Sequence, residues 1–307
     1  MRSIKQLIEN NQHKDRCRRQ LEKLIPIFLF SLASISFVTT ISIIFVLVSE
    51  SIHFFQVVPL KEFLTGRVLK PMSKSPRFGM LPLFIGTITS TTIALLVAVP
   101  VGLLSAIYLS EYASKKVRNL LKPILEVLAG IPTIVYGFFA FTFVTPILQS
   151  FIPGLESTNI LSPGLVMGIM IIPMVASLSE DAMKAVPQNF RDGALGLGAS
   201  KVEVTLKVVI PAALSGIAAA IVLAISRAIG ETMIVTIASG SSKNFTFDIT
   251  TSMQTMTAYI VEVTGGDTPA GSTIYYSIYA VGLVLFIFTL LMNMIAHKIS
   301  SKLRENY

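Results

Sequence analysis

Strongly apolar runs recur six times along the chain, five of them free of charge, and the segments between them concentrate its Lys, Arg, Asp and Glu. About 18 apolar residues in a helix, at 1.5 Å of rise each, begin to cover the roughly 30 Å hydrocarbon layer of a bilayer. The runs at 24–48, 85–109, 127–149, 164–178, 213–239 and 274–296 meet or approach that length. The pattern therefore predicts an all-α polytopic membrane protein with six transmembrane helices. The fourth run is short and carries Pro173, which predicts a bent or tilted span. The first is too long, and lies too far behind Met1, for a cleaved signal sequence, so it is expected to be a retained anchor. The expected organisation is an N-terminal segment (1–23), a membrane domain (24–297) and a short tail (298–307).

Composition points the same way. With 52% hydrophobic and 14% charged residues and a mean hydropathy of +0.71, 307 residues carry too little polar surface for a soluble fold. The net charge of +8 does not imply nucleic-acid binding, because the basic residues sit at the ends of apolar runs rather than on a basic face. They set orientation instead, since Lys and Arg resist translocation. With both termini cytoplasmic, the inside segments hold 18 Lys and Arg and the outside loops six: Lys61, Arg67, Lys70, Lys74, Arg77 and Lys243. Five of the six fall in one outside loop, 49–79, which reads either as a solvated basic loop or as a contact for an acidic surface or an anion. Residues 1–23 mix Arg and Lys with acidic residues and Gln, as in a headgroup-bound interfacial helix or a tail.

Two opposite charges interrupt the fifth run. Arg227 and Glu231 are four residues apart, which on a continuous helix places both on one face. Intramembrane charge is costly and marks functional positions, so the pair is read as part of an anion path against the alternative of a helix-tying salt bridge. Arg227 would offer its planar fork to an oxyanion, and Glu231 would compete for it and keep occupancy brief. In the third run, Pro132 removes a backbone donor between Gly130 and Gly137, so a broken helix is expected there, with the hydroxyls of Thr133 and Tyr136 free to face a cavity. Thr87, Thr89 and Ser90 read as packing residues.

Enzymatic readings fail on residue type. No GxxxxGK[ST] phosphate loop is present, so the chain is not itself an ATPase of that class. His13, His53 and His297 are scattered, without an HExxH, so no metal site is expected. Cys17 is the lone cysteine, which excludes an internal disulfide or a CxxC motif.

The loop at about 180–211 carries the most specific motif. Asp192-Gly193-Ala194, three residues, Gly198, nine residues and then Val208-Val209-Ile210-Pro211 keep both spacings of the E-A-A, G, I-x-L-P pattern. This resembles the EAA loop of bacterial ABC-importer permeases, with Asp for Glu, Gly193 for the first Ala, and Val and Ile for the Ile and Leu. Small residues there suit close docking, and Pro211 is expected to open the next span. The segments 86–90, 98–102, 109–112, 128–139 and 226–233, above all Gly130-Ile-Pro-Thr-Ile-Val-Tyr136, are similar to the phosphate-importer permeases, most closely the PstC type, over 25–297. The resemblance implies a type I ABC-importer permease fold and one half of a path for phosphate, with Arg227, Glu231, Thr232, Tyr136 and Thr133 along it. It also implies a PstA-like second permease, two copies of a PstB-like ATPase that bind the ATP and Mg, and a PstS-like external binding protein. No cofactor is expected on this chain. A permease for sulfate, molybdate or tungstate, and a membrane phosphate sensor or scaffold, are the alternatives.

Overall fold

The computed structural model describes the backbone of residues 4–304 and the side chains of 24–295, Lys298 and Ser301. Six helices are long and apolar enough to cross a membrane, at Leu24–Val57, Leu81–Tyr112, Thr133–Phe151, Leu161–Lys184, Lys201–Ile229 and Thr273–Ile295. The first belongs to α1 (Ile4–Val57), whose apolar residues from Leu24 onward lie almost wholly on the outside of the fold, as a lipid-facing anchor requires. The reading of 1–23 as headgroup-bound rests on side chains outside the described residues.

The first outside loop is more than a solvated connection. It contains α2 (Leu60–Thr65) and a two-stranded antiparallel ribbon, β1 (Leu69–Lys70) with β2 (Arg77–Phe78). Phe54 at the end of α1 meets Phe63 and Phe78 edge-on, with ring centroids 5.2 and 5.3 Å apart, so an aromatic core holds the loop together. That core continues into α12 and α13, described below, through Met256, Tyr259, Ala280 and Val281. The basic residues of the loop all remain exposed.

The second span is α3 (Leu81–Ile107), closed by a π-helical turn at Tyr108–Tyr112. Then α4 (Lys115–Gly130), a strongly amphipathic helix capped by Ser114, runs to the break at Ile131 and Pro132. The third span thus starts at Thr133 rather than at 127. It is built from α5 (Thr133–Phe139), a π turn at Ala140–Val144 and α6 (Thr145–Phe151). Pro132 has no N–H to continue the ladder from α4, so the chain turns there, as the sequence predicts.

The fourth span, α7 (Leu161–Lys184), is longer than its uncharged run because the helix continues through Ser179, Glu180 and Asp181. It is the most buried span and packs chiefly on α3. Small residues allow this: a Cβ on Gly168 would stand 2.8 Å from both the Ala94 carbonyl oxygen and Val97 Cβ, and one on Gly164 would meet Ile93 at 2.8 Å. Without a hydrophobic drive between helices in lipid, such close backbone packing is what joins them.

After α7 come α8 (Gln188–Gly196) and α9 (Lys201–Val204), which leads through a π turn at Thr205–Val209 into α10 (Ile210–Ile229). Pro211 stands in the first turn of α10, as expected, but the helix of the fifth span already begins near Lys201. The π turn, closed by the Ile210 amide on the Thr205 carbonyl, widens the helix just ahead of Pro211, which has no amide hydrogen to place. The same arrangement precedes Pro146 in the third span. The helix ends at Gly230, and α11 (Met233–Ala238) continues as a separate short piece packed on α5. Gly137 permits that contact, since a Cβ there would lie 2.9 Å from Ile237 Cδ1 and 3.1 Å from the Met233 carbonyl. α12 (Met256–Gly265) packs on the start of α13 (Thr273–Arg304), the last span. Thr87 and Ser90 are buried packing residues, as expected: Thr87 Oγ1 accepts the Met256 amide at 3.0 Å, and Ser90 donates to the Thr87 carbonyl at the same distance.

Candidate functional site

Arg227 stands in the last turn of α10, where the helix is about to break. Its side chain is exposed on the chain, and Nη2 approaches Met170 Sδ of α7 at 3.8 Å. It lines a cavity of about 460 Å³ whose wall also includes Met170, Pro173, Ser177 and Glu180 of α7 and Lys122 and Glu126 of α4. From Met170 to Glu180 is ten residues of helix, about 15 Å along the axis. The cavity thus leads from the guanidinium at the end of α10 to a charged cluster at the end of α7.

Glu231 is not the partner of Arg227. The expected pairing needs a continuous helix, and the chain leaves helical geometry at Gly230. Glu231 is 8% exposed, and its Oε1 accepts the amides of Thr232 and Met233 at 3.0 and 3.1 Å. The carboxylate is therefore neutralised by the unsatisfied amides at the start of α11, a favourable place for negative charge. Among the described residues no ion pair joins it to Arg227. Thr257 Oγ1 donates to the Glu231 carbonyl at 2.7 Å, which ties this break to α12. Replacing Glu231 with Ala is expected to cost about 1 kcal/mol, and Gln, which keeps an acceptor oxygen, clearly less. Thermal unfolding of the purified protein should show a drop of about 2–4 °C for the Ala variant.

The other expected path residues do not gather at the cavity. Tyr136 is buried, and its hydroxyl donates to the Leu128 carbonyl at 2.8 Å, so it closes the turn between α4 and α5 instead of facing a cavity. Thr133 is half-buried in the first turn of α5, and Thr232 Oγ1 donates to the Gly230 carbonyl at 3.2 Å. Neither lines the space beside Arg227.

The end of that space holds charges that reading by runs assigned to loops. Glu180, with a side chain only 1% exposed, is surrounded by Arg118 (3.3 Å), Lys122 (3.7 Å) and Lys184. These are electrostatic contacts rather than aligned hydrogen bonds. Arg118 also donates to the carbonyls of Leu109 and Ser110 and so caps the end of the second span. The i, i+4 spacing of Glu180 and Lys184 was the available signal, had the span been extended past its last uncharged residue.

The motif loop forms a compact unit beside this cluster. Asp192, Gly193 and Ala194 lie on α8, with Gln188 Nε2 donating to Asp192 Oδ1 at 3.0 Å. Gly198 has φ +86°, a left-handed conformation that ends α8 and turns the chain into α9. Ser200 and Glu203 form a capping box there, legible in the sequence from their spacing. Ala194, Val208 and Ile210 pack inward on a core of Met183, Val204 and Val209. Asp192, Gly193 and Gly198 face outward with Phe190, Leu195 and Leu197, the last 91% exposed. An apolar rim around small residues at a helix surface is the composition of a docking face.

Residues 98–305, including this loop and the Arg227 region, match the family described as the binding-protein-dependent transport system inner membrane component. The chain belongs to that family. The permease is 32% identical over 241 residues to a probable ABC transporter permease protein, YqgH, of Bacillus subtilis, covering 78% of each chain. It is 34% identical over 254 residues to the phosphate transport system permease protein PstC of Mesorhizobium japonicum (76% of each). It is 29% identical over 320 residues to a probable PstC of Methanocaldococcus jannaschii (94% of this chain, 98% of that one). Among solved structures, the permease is similar to a chain of a bacterial alginate ABC transporter in complex with its periplasmic protein, with a TM-score of 0.62 at 16% identity over 95% of this chain and 97% of that one. A chain of the MetNI methionine ABC transporter gives 0.56 at 16% identity over 73% and 94%. The fold is that of a type I ABC-importer permease, and the permease is a multi-pass membrane protein.

Proposed function

We propose that this permease is one of two membrane-spanning subunits of an ATP-driven phosphate importer and supplies half of the anion path. The observation that carries the reading is Arg227, an intramembrane guanidinium with no carboxylate partner among the described residues, lining a cavity that leads toward one end of the bundle. A planar fork of donors matches a tetrahedral oxyanion, and charge-assisted bonds in an apolar layer supply the attraction. The names of the PstC relatives support phosphate as that anion. Because Arg227 is exposed on the single chain, a second permease subunit, PstA-like, completes the wall opposite it. Of two copies of a PstB-like ATPase, which bind the ATP and Mg, one docks on the outward face of α8, and a PstS-like binding protein delivers phosphate to the other side. The Lys and Arg bias supports cytoplasmic termini and a cytoplasmic α8.

Uptake of radiolabelled phosphate, in cells without their own high-affinity importer but supplied with this chain and its neighbouring importer subunits, tests the reading. Uptake that arsenate competes and sulfate does not is the expected result. Uptake of sulfate or molybdate in place of phosphate would keep the importer and overturn the substrate.

A further inference from the structure

The side of α8 turned toward the spans carries Arg191, the most heavily bonded arginine at this end of the fold. Its Nη1 donates to the Val186 carbonyl at 2.5 Å and its Nη2 to the Met183 carbonyl at 2.8 Å, so one guanidinium holds carbonyls at and just past the end of α7. The same group meets Glu111, in the π turn that ends the second span, at 3.1 Å through Nη2 and 3.4 Å through Nε. Both side chains are nearly buried, Arg191 12% and Glu111 7% exposed. Ser110 Oγ donates to Glu111 Oε1 at 2.8 Å and fixes the carboxylate. One planar group on α8 therefore joins the end of α7, just before it in the chain, to the end of the second span, 80 residues away.

A cavity of about 580 Å³ beside this joint is lined by Arg118, Lys184, Arg191 and Lys201. Those cations are already engaged within the chain: Arg118 and Lys184 on Glu180, Arg191 on Glu111, and Lys201 over the Tyr112 ring at 5.0 Å. The cluster is thus internal wiring rather than a vacant anion site. Glu180 extends it, because Arg118 and Lys122 bring α4 against α7, and both helices form the wall of the Arg227 cavity.

We propose that Arg191 is a positioning residue for transport: it joins α8 to the ends of the second and fourth spans, so that a displacement of α8 moves α7, and through Glu180 moves α4, at the cavity wall. This rests on the reading of α8 as the ATPase-facing helix. A single hydrogen bond could pivot, whereas a guanidinium held by two carbonyls and a carboxylate fixes direction as well as distance.

The test uses the assembled transporter in nanodiscs, with Cys17 replaced by Ser and spin labels at Ala129 of α4 and Leu223 of α10. The change in label separation on trapping ATP with vanadate is compared between wild type, Arg191→Gln, Arg191→Lys and Glu111→Gln. The expected result is a clear change in wild type, less than one fifth of it in Arg191→Gln, and an intermediate change in Glu111→Gln, with nucleotide trapping retained in each. ATP hydrolysed per substrate molecule moved should rise at least tenfold in Arg191→Gln. A full wild-type change in Arg191→Gln overturns the proposal. If that variant does not assemble, Arg191→Lys decides, since it keeps the charge toward Glu111 but loses the fork: less than half the wild-type change supports the proposal and a full change overturns it. No phosphate enters the distance measurement, so a wrong substrate leaves this result standing, whereas a wild-type complex that does not respond to nucleotide overturns both the role of α8 and that of Arg191.

Discussion

Transport by the Arg227→Gln variant falls about 100-fold, while the complex assembles and is extracted as wild type. The size of the loss follows from removing charge-assisted bonds worth roughly 1.5–3 kcal/mol from an apolar layer, at 1.4 kcal/mol per factor of ten. Survival of the fold follows from what Arg227 touches. Its polar contact in the chain is the Met170 sulfur at 3.8 Å, and no described carboxylate is stranded when the guanidinium goes. Truncating a residue in a buried ion pair would leave the opposite charge uncompensated and reduce stability as well as transport. Arg227→Lys keeps the charge but not the fork, and is expected to retain about a tenth of wild-type transport. Uptake and melting temperature, measured on the same preparations, separate the two effects. Normal uptake by Arg227→Gln would remove it from the path.

The largest effect on the fold is expected at Gly168→Val. Its Cβ would stand 2.8 Å from the Ala94 carbonyl oxygen, which belongs to the backbone of α3 and cannot swing aside as a side chain can. The two central spans would have to separate, at a cost of about 3 kcal/mol or more from overpacking alone. Loss of the contact also loosens the core in which Met167, Ile171 and Val175 of α7 meet Ala94 and Ala98. The variant is expected to be missing from the membrane fraction at growth temperature. Gly193→Ala is the control, because a Cβ there meets nothing within 4 Å and Ala is the better helix former by about 1 kcal/mol. Membrane-fraction immunoblots should show Gly193→Ala at wild-type amount or above; equal amounts of the two variants would contradict this account of the α3–α7 contact.

Six spans were legible because uninterrupted hydropathy is a local property, and each run can be counted without knowing its neighbours. The helix breaks were legible only where residue chemistry announces them. Pro132 did so, and the turn at Ile131 and Pro132 follows. Gly230 did not, because glycine is common inside membrane helices, and the spacing argument for Arg227 and Glu231 depended on a helix that ends between them. The π turn at Thr205–Val209 was hidden for a related reason: its effect is to carry a helix past Pro211, where the residue alone suggests a start. The motif loop was readable through its spacings, and α8 and the Gly198 turn appear where the pattern places them. Contacts between distant segments were beyond reach, including the Phe54, Phe63 and Phe78 cluster in the outside loop and the Arg191–Glu111 joint. Each depends on which helix ends lie side by side, and hydropathy along one chain does not order helices around a bundle.

Proteoliposomes holding the complete transporter, with ATP inside and the external binding protein outside, test the central claim most directly through accumulation of labelled phosphate. The account predicts accumulation that needs ATP and binding protein, is competed by arsenate, is lost with Arg227→Gln and does not occur for labelled sulfate or molybdate. Accumulation of sulfate or molybdate with none of phosphate would contradict it.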